Sequence, residues 1–356
     1  MEAVPVPALN APLGIMIFTL GGLAGAVFYL PFKKVKGWAW ESYWMIYAIF
    51  GLVIVPGILA FATSPNVLSV ISTAPFEELV YCFLCGVAWG FGGLTWGLMI
   101  RYLGFGLGLA MGAGLTSAAG TLIPPMLQGS AAIEAIFTTP GGITSVFSAI
   151  VSLAGIVFVG MAGRSKELEL SEEQKLKAVA EFNFRKGILF AIFSGLMSSA
   201  MSFGLQGAPS MQEAALATDP PSSVTWAGMP VLVVVLSGGF VVNFIWCLFL
   251  NFRNKTAKDY VNKSVPILTN LVFAAIAGAI WCSQFICFKT GEPEMGHISY
   301  IGWAVLMASQ ILFSQILGLF LGEWKNTGRR TRSLLVTGLL LLISSAIIAG
   351  YAGSLG

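Results

Sequence analysis

The chain has 356 residues, of which 56% are apolar and only 10% are charged. A water-soluble domain carries about a quarter of charged residues, so this composition excludes a soluble globular protein and predicts an all-α polytopic membrane protein. The net charge of +3 is too small and too scattered along the chain to indicate nucleic-acid binding.

Ten apolar segments are long enough to cross a bilayer, which takes about 20 mostly apolar residues in a helix. In chain order they cover residues 12–31, 42–62, 77–100, 103–127, 142–162, 187–208, 225–250, 266–289, 298–322 and 333–353.

The loops between these segments predict the orientation, since Lys and Arg concentrate on the cytoplasmic side of a membrane. Loop one contains Lys33, Lys34 and Lys36, and the odd-numbered loops together hold every Lys and Arg of the chain except Lys289. We therefore expect the odd loops in the cytoplasm and both termini on the periplasmic side. A missed or spurious helix would have broken this alternation, so it also supports the count of ten.

Loop five, residues 164–186, is the one sizeable polar connection. Its Ser171-Glu172-Glu173-Gln174 sequence is typical of a capping box that opens a short amphipathic helix. This predicts a first five-helix repeat in residues 1–163, a cytoplasmic linker in 164–186 and a second five-helix repeat in 187–356. Because five is odd, the second repeat is inverted relative to the first, an arrangement found in many secondary transporters.

Two short elements recur in the two halves and support this repeat. Gly86-Val87-Ala88-Trp89 is followed by Tyr102-Leu103-Gly104-Phe105 in the first half. Gly278-Ala279-Ile280-Trp281 is followed by Tyr300-Ile301-Gly302-Trp303 in the second. In inverted-repeat folds the substrate binds near the midplane, where the repeats meet.

Trp89 and Trp281 are accordingly the first candidates for a substrate site. An indole offers a flat apolar face and one N–H donor, which suits a sugar ring with its apolar face and hydroxyl rim. Packing within the bundle is the competing interpretation of both residues.

Polar side chains at membrane depth are costly and tend to face a protein interior. Neutral ones suit a neutral polyol, and the alternative is hydrogen bonding between helices. The candidates are Gln206, Asn243, Gln284, Gln310 and Gln315 together with Thr95 and Ser202. We find no Lys or Arg placed to receive an anionic substrate.

Uphill uptake needs a coupling ion, and proton coupling needs a carboxylate whose pKa is raised by partial burial. Glu213 is the first candidate, since it follows Gly207-Ala208-Pro209, where helix six is expected to break. Glu77 and Glu78 open helix three on the same predicted side. The competing interpretations are an exposed loop acid for Glu213 and a first helical turn favoured by the helix dipole for the other two.

Several stretches resemble the L-rhamnose–proton symporters of the drug/metabolite transporter superfamily. They run from helix one to the last predicted cytoplasmic loop and include Phe28-Tyr29-Leu30-Pro31-Phe32-Lys33-Lys34, Trp89-Gly90-Phe91-Gly92, Gln212-Glu213-Ala214-Ala215 and Glu323-Trp324-Lys325-Asn326. The resemblance implies a ten-helix fold of two inverted repeats in a bacterial inner membrane, and uptake of a deoxysugar with a proton. Gly93-Leu94-Thr95 departs from the family, which carries two amides there.

Other classes of function have less support. The single His297 lies in a predicted outer loop, and no catalytic or phosphate-binding motif is present, so we expect no enzyme and no cofactor. Cys82 and Cys85 have redox-motif spacing but lie in an apolar helix without a neighbouring His, so we expect no metal. A transporter or exporter of another small neutral solute is the main alternative, followed by a channel or receptor. The oligomeric state is left open.

Overall fold

The computed structural model describes residues 10–127, 134, 137–169, 182–295, 302–353 and 355. Regular secondary structure in these residues is entirely helical, which confirms the all-α part of the predicted fold class. Three of the sequence features named above, the Ser171–Gln174 capping box, His297 and the Tyr300-Ile301 pair, lie outside the described residues.

Ten principal helices follow one another along the described chain. They are α1 Ala11–Val27, α2 Trp40–Thr63, α3 Phe76–Leu103, α4 Phe105–Leu127, α5 Pro140–Glu169, α6 Phe184–Ser198, α7 Met229–Asn254, α8 Ile267–Met295, α9 Gly302–Phe320 and α10 Arg329–Gly353.

Eight spans among the described residues are long and apolar enough to cross a membrane. The other two helices, α4 and α9, contribute the shorter apolar segments Phe105–Gly120 and Val305–Phe320. The coarser expectation, an all-helical protein with many membrane-spanning helices, is therefore met by the structure.

Glycine and proline set the irregular points. A π-helical turn, Phe50–Ile54, interrupts α2 just before Pro56, whose missing N–H cannot complete the helical ladder. After α6 the chain continues as Ala200–Gln206, stops, and starts a short helix at Pro209–Leu216, which confirms the predicted break. Gly104, with φ of +86°, is the single residue that separates α3 from α4.

The end of helix eight differs from the prediction, and the difference changes where Lys289 lies. Helix eight was expected to end at residue 289, but α8 continues to Met295, because the apolar and small residues after Lys289 stay buried against α1. The Lys289 ammonium therefore lies inside the bundle, where it pairs with Glu292 and donates to the Leu205 carbonyl. Because its charge is already paired, Lys289 is not placed to receive an anionic substrate.

The helices pack in matched sets. α1 packs against α8 and α9, whereas α6 packs against α3 and α4; α2 packs against α8, whereas α7 packs against α3. α4 packs against α9 and α5 against α10. If α1 is exchanged with α6, α2 with α7, and so on to α5 with α10, each contact in this set becomes another contact of the set or stays the same.

Glycines make the closest of these matched contacts. At Gly86 a Cβ would overlap the Val235 carbonyl and lie 3.2 Å from the Gly239 nitrogen. At Gly278 a Cβ would lie 2.5 Å from the Tyr47 carbonyl oxygen and 2.8 Å from the Gly51 nitrogen. In both cases the partners are a glycine and the carbonyl four residues before it, and Gly86 and Gly278 are the first residues of the two recurring elements.

The connections also segregate. At one end, Asp259 in the seventh connection accepts from the Ala39 amide in the first, and Glu169, the last residue of α5, accepts from the Gly328 amide in the ninth. Even-numbered connections bond one another at the other end, where the Ser64 and Ser222 hydroxyls bond and Asn66 donates to the Asp219 carbonyl. The bundle thus has two distinct ends.

Candidate functional site

A small cavity of about 40 Å³ lies at the centre of the bundle. Helices from both halves of the chain line it, including α3 and α4 from the first and α6, α8 and α9 from the second. Small-molecule sites usually measure about 300–1,000 Å³, whereas this volume holds only a few water molecules. As it stands in the structure, the cavity is too small to hold a sugar.

Trp89 and Trp281 meet in this cavity. Their ring centroids lie 4.7 Å apart with 31° between the ring planes, and both side chains are buried. The Trp89 indole covers two glycines, since a Cβ at Gly93 would lie 3.1 Å from the ring and one at Gly239 only 2.6 Å. The absence of side chains at these two positions thus leaves the space that the Trp89 ring occupies.

Other aromatic side chains surround this pair. Tyr47 contacts the Trp281 ring edge-on at 6.0 Å, and Phe285 lies 4.8 Å from it on the same helix. Trp303 meets Phe288 edge-to-face at 5.4 Å and also lines the cavity. The cavity therefore offers flat apolar faces on several sides.

Gln284 and Gln310 supply the amides of the cavity wall. Gln310 donates to the Gly25 carbonyl at 3.1 Å, and a Cβ at Gly25 would overlap the Gln284 amide. Gly25 on α1 is thus the backbone surface on which both amides rest. Sequence reasoning selected both glutamines but did not find Gly25, because a glycine in an apolar helix carries no signal of its own.

Two buried polar atoms in the cavity wall have no hydrogen-bond partner among the described residues. They are the Trp303 indole N–H and the Ser198 hydroxyl. Buried donors are normally satisfied, so these groups are placed to bond a polar ligand or water. Trp303 was noticed only as part of the recurring element, and nothing in the sequence singled out Ser198 from the many other serines.

Asn243 is buried but does not line the cavity. It accepts from the Trp44 indole N–H at 2.8 Å and donates to the Gly239 carbonyl at 2.8 Å. Trp44 in turn lines the cavity and stacks on Trp40 with centroids 4.9 Å apart. Asn243 therefore orients a wall residue rather than contacting the cavity itself.

The structure does not bring the remaining amide and hydroxyl candidates to the cavity. Thr95 lines a separate crevice on the outside of the bundle and donates to the Gly92 carbonyl. Gln206 lies at the end of its helix and bonds the Ser202 carbonyl, while Ser202 itself bonds the Ser199 carbonyl. Gln315 bonds the Gly106 carbonyl near the opposite end of the bundle. Each of these side chains therefore makes a hydrogen bond within the protein and lies away from the cavity.

The three candidate proton-coupling carboxylates lie at the end of the bundle formed by the even connections. Glu213 and Glu77 are exposed, so neither has the partial burial that proton coupling requires in this state. Glu78 is half-buried and accepts from the Ser210 hydroxyl at 2.5 Å, which joins the start of α3 to the short helix Pro209–Leu216.

A multi-pass helical bundle around a closed, aromatic and neutral polar cavity defines the class of membrane transporters. The particular family follows from comparison with known proteins. The L-rhamnose-proton symport protein family model matches residues 9–354. The "L-rhamnose-proton symporter" of Citrobacter koseri is 33% identical over 344 residues, which cover 95% of this chain and 97% of the relative. Proteins with the same description from Yersinia pestis and Yersinia pseudotuberculosis are 32% identical over 342 residues, again 95% and 97% of the two chains.

The chain belongs to the L-rhamnose-proton symport protein family. This is a family of transporters, not of enzymes, and the chain is a multi-pass protein of a bacterial inner membrane.

Proposed function

We propose that this protein imports L-rhamnose, or a closely related deoxysugar, together with protons by alternating access. The observation that carries the proposal is the central cavity, where Trp89 and Trp281 face each other between neutral polar groups. A 6-deoxyhexose presents an apolar face with a methyl group to the indoles, and hydroxyls to Gln284, Gln310 and the Trp303 N–H. A neutral lining fits an uncharged sugar, in agreement with what the names of the relatives say of those proteins.

We propose further that ten helices cross the membrane as two inverted five-helix repeats, 1–163 and 187–356, joined by the linker 164–186. Three observations support this: the exchanged helix contacts, the matched environments of Gly86 and Gly278, and the segregation of odd and even connections. The positive-inside rule then places the odd connections in the cytoplasm and both termini in the periplasm. Membership of the drug/metabolite transporter superfamily is part of the same proposal.

In this mechanism the closed cavity has to expand before the sugar enters. The Trp89 and Trp281 rings, now 4.7 Å apart, would separate to receive the sugar ring between them. Two halves that rock about the cavity would expose it first to the periplasm and then to the cytoplasm. The periplasmic carboxylates Glu78, Glu77 and Glu213 are the proposed entry points for the proton, with half-buried Glu78 now the first candidate.

The experiment is a thermal-shift titration of the purified protein with L-rhamnose, L-mannose and L-fucose. A ligand that binds the native state raises its stability in proportion to RT ln(1 + [L]/Kd). L-mannose differs from L-rhamnose only by a hydroxyl in place of a hydrogen at C6, so a site built for a methyl group should bind it more weakly. Stabilisation by another neutral solute and by none of these sugars would support the alternative, a transporter or exporter of a different cargo.

A further inference from the structure

Glu323 is buried at the end of the bundle that we place in the cytoplasm. It follows α9, and only 1% of its surface is exposed. One carboxylate oxygen accepts from the Phe105 amide at 2.7 Å, and the other accepts from the Gly106 amide at 2.9 Å. These are the first amides of α4, which have no partner within their own helix. Since α4 belongs to the first half and Glu323 to the second, one side chain ties the two halves together.

Lys166 supplies a second buried charge beside this contact. Its side chain comes from the end of α5 and is 1% exposed, yet its ammonium has no hydrogen-bond partner among the described residues. It lies 4.8 Å from the Trp324 ring centroid and 5.5 Å from that of Phe182. A buried ammonium needs a compensating negative charge, and the neighbouring Glu323 carboxylate provides it.

Two further buried polar atoms in this cluster have no partner among the described residues. The Trp324 indole nitrogen lies 3.0 Å, and the Gln315 amide oxygen 3.1 Å, from the point where Gly106 would carry a Cβ. Gln315 also donates to the Gly106 carbonyl. The start of α4 is thus contacted by two side chains from the second half, Trp324 and Gln315, each of which has one polar atom without a hydrogen bond to the described part of the chain.

The charges around Glu323 act in opposite directions. Burial raises the pKa of its carboxyl above the usual range, and this effect exceeds the lowering by Lys166, the two amides and Lys33. Lys33, from the first predicted cytoplasmic loop, lies 5.3 Å from the Phe105 ring centroid. Lys166 and Lys33 are the cations that face the carboxyl from the elements packed against it, and they oppose its protonation.

We propose that Glu323 carries the coupled proton and that its ionised carboxylate, with Lys166 as counter-charge, holds α4 in place and keeps the cytoplasmic side of the cavity closed. This inference rests on the proposed proton-coupled import. While the carboxylate is ionised it holds both α4 amides and compensates Lys166, so the cytoplasmic path is closed. A proton arriving from the cavity side weakens both hydrogen bonds and leaves the buried ammonium uncompensated, and α4 then separates from the α9–α10 connection.

Opening also explains how the proton leaves. Once the carboxyl meets cytoplasmic water it loses its burial, its pKa falls toward the ordinary value, and the proton passes to the cytoplasm. The ionised carboxylate can then rebind the two amides and close the cytoplasmic side of the cavity. One proton enters from the cavity side and one leaves to the cytoplasm in each cycle, in step with the sugar.

The test compares Glu323→Gln with Glu169→Gln in proteoliposomes. Glu169 is the matched control because its carboxylate also accepts from a backbone amide of the α9–α10 connection, Gly328, but is exposed to solvent. Three quantities are measured: L-rhamnose binding by thermal shift, equilibrium exchange of labelled L-rhamnose from pH 5.5 to 8.5, and accumulation driven by a pH gradient.

We expect Glu323→Gln to bind the sugar and to exchange it at a rate that no longer depends on pH, because the amide imitates the protonated acid. Accumulation should fall at least tenfold. Glu169→Gln should stay within twofold of the parent protein in all three measurements. Lys166→Met should move the midpoint of the exchange profile upward by about one pH unit or more, since the group that favours the ionised carboxyl is gone.

Accumulation by Glu323→Gln at the parent level, or an unchanged pH profile of exchange, would overturn the proposal. If Glu323→Gln does not fold, the Lys166→Met profile decides, and an unshifted midpoint there overturns it equally. A parent protein that neither binds L-rhamnose nor couples it to protons would instead refute the proposed function, so the two failures are distinguishable.

Discussion

Replacing Trp89 or Trp281 with alanine is expected to weaken sugar binding without unfolding the bundle. Both rings are buried and face each other across the central cavity. In the structure the two rings contact each other, and with sugar bound each would cover one face of the sugar. Each truncation removes one of the two faces and leaves the polar groups around the cavity in place.

The size of the effect follows from area and geometry. If the sugar covers roughly 50 Å² of apolar ring, burial contributes about 1.3 kcal/mol at about 25 cal/mol/Å². The directional preference of an aromatic face adds about 0.5–1.5 kcal/mol. The sum of about 1.8–2.8 kcal/mol corresponds to a rise in Kd of about 20- to 110-fold. Phenylalanine at either position keeps an aromatic face and should lose much less.

Isothermal titration of the purified variants with L-rhamnose measures these constants. Trp246→Ala is the control, since Trp246 is exposed on the outside of the bundle and lines a different crevice. It should bind as the parent does. Parent-like Kd values for both Trp89→Ala and Trp281→Ala would show that these rings only pack the bundle and would refute the assignment of the site.

The remaining predictions concern support, packing and proton entry. Asn243→Leu should lower thermal stability by about 1–3 kcal/mol because a buried indole N–H loses its acceptor, and a parent-like melting curve would argue against this role. Gly51→Ala should reduce stability and folded yield, since its Cβ would lie 2.7 Å from a carbonyl oxygen of α8, whereas Gly57→Ala in the same helix, with open space around it, should be neutral or slightly stabilising. Equal effects of the two glycine variants would contradict the close packing of α2 on α8. Glu78→Gln should reduce pH-driven accumulation more than Glu213→Gln does, because Glu78 is half-buried and bonded while Glu213 is exposed; the reverse order in an uptake assay would restore Glu213 as the first candidate.

Hydropathy predicted the helices well because apolar segments of bilayer length are a strong and local signal. It misplaced the end of α8, since a buried Lys289 that pairs with Glu292 on the next turn looks like the start of a loop. The Lys289 ammonium also donates to the Leu205 carbonyl in the segment Ala200–Gln206, a contact 84 positions away in sequence that no local pattern records.

The candidate site was predicted in part. Four of the residues predicted to bind substrate, Trp89, Trp281, Gln284 and Gln310, line one cavity. That they bind the sugar stays a prediction. Thr95 has the same polarity but points outward, and hydropathy cannot tell which face of an apolar helix meets the interior.

The roles of two residues, Gly25 and Glu323, could not be predicted from the sequence. Gly25 matters only through the side chains that rest on it. Glu323 belongs to one of the stretches that resemble the family, yet its burial against the α4 amides depends on the helix start after Gly104 and on a contact between residues 218 positions apart.

The most direct test of the account is sugar-induced proton movement in proteoliposomes that contain a trapped pH indicator. Adding L-rhamnose outside, without a membrane potential or an imposed pH gradient, should acidify the interior, because each sugar enters with a proton. Sucrose should cause no change, and Trp89→Ala should require a much higher L-rhamnose concentration. Entry of labelled L-rhamnose without acidification, or no entry of the sugar at all, would contradict a proton-coupled site between the two tryptophans.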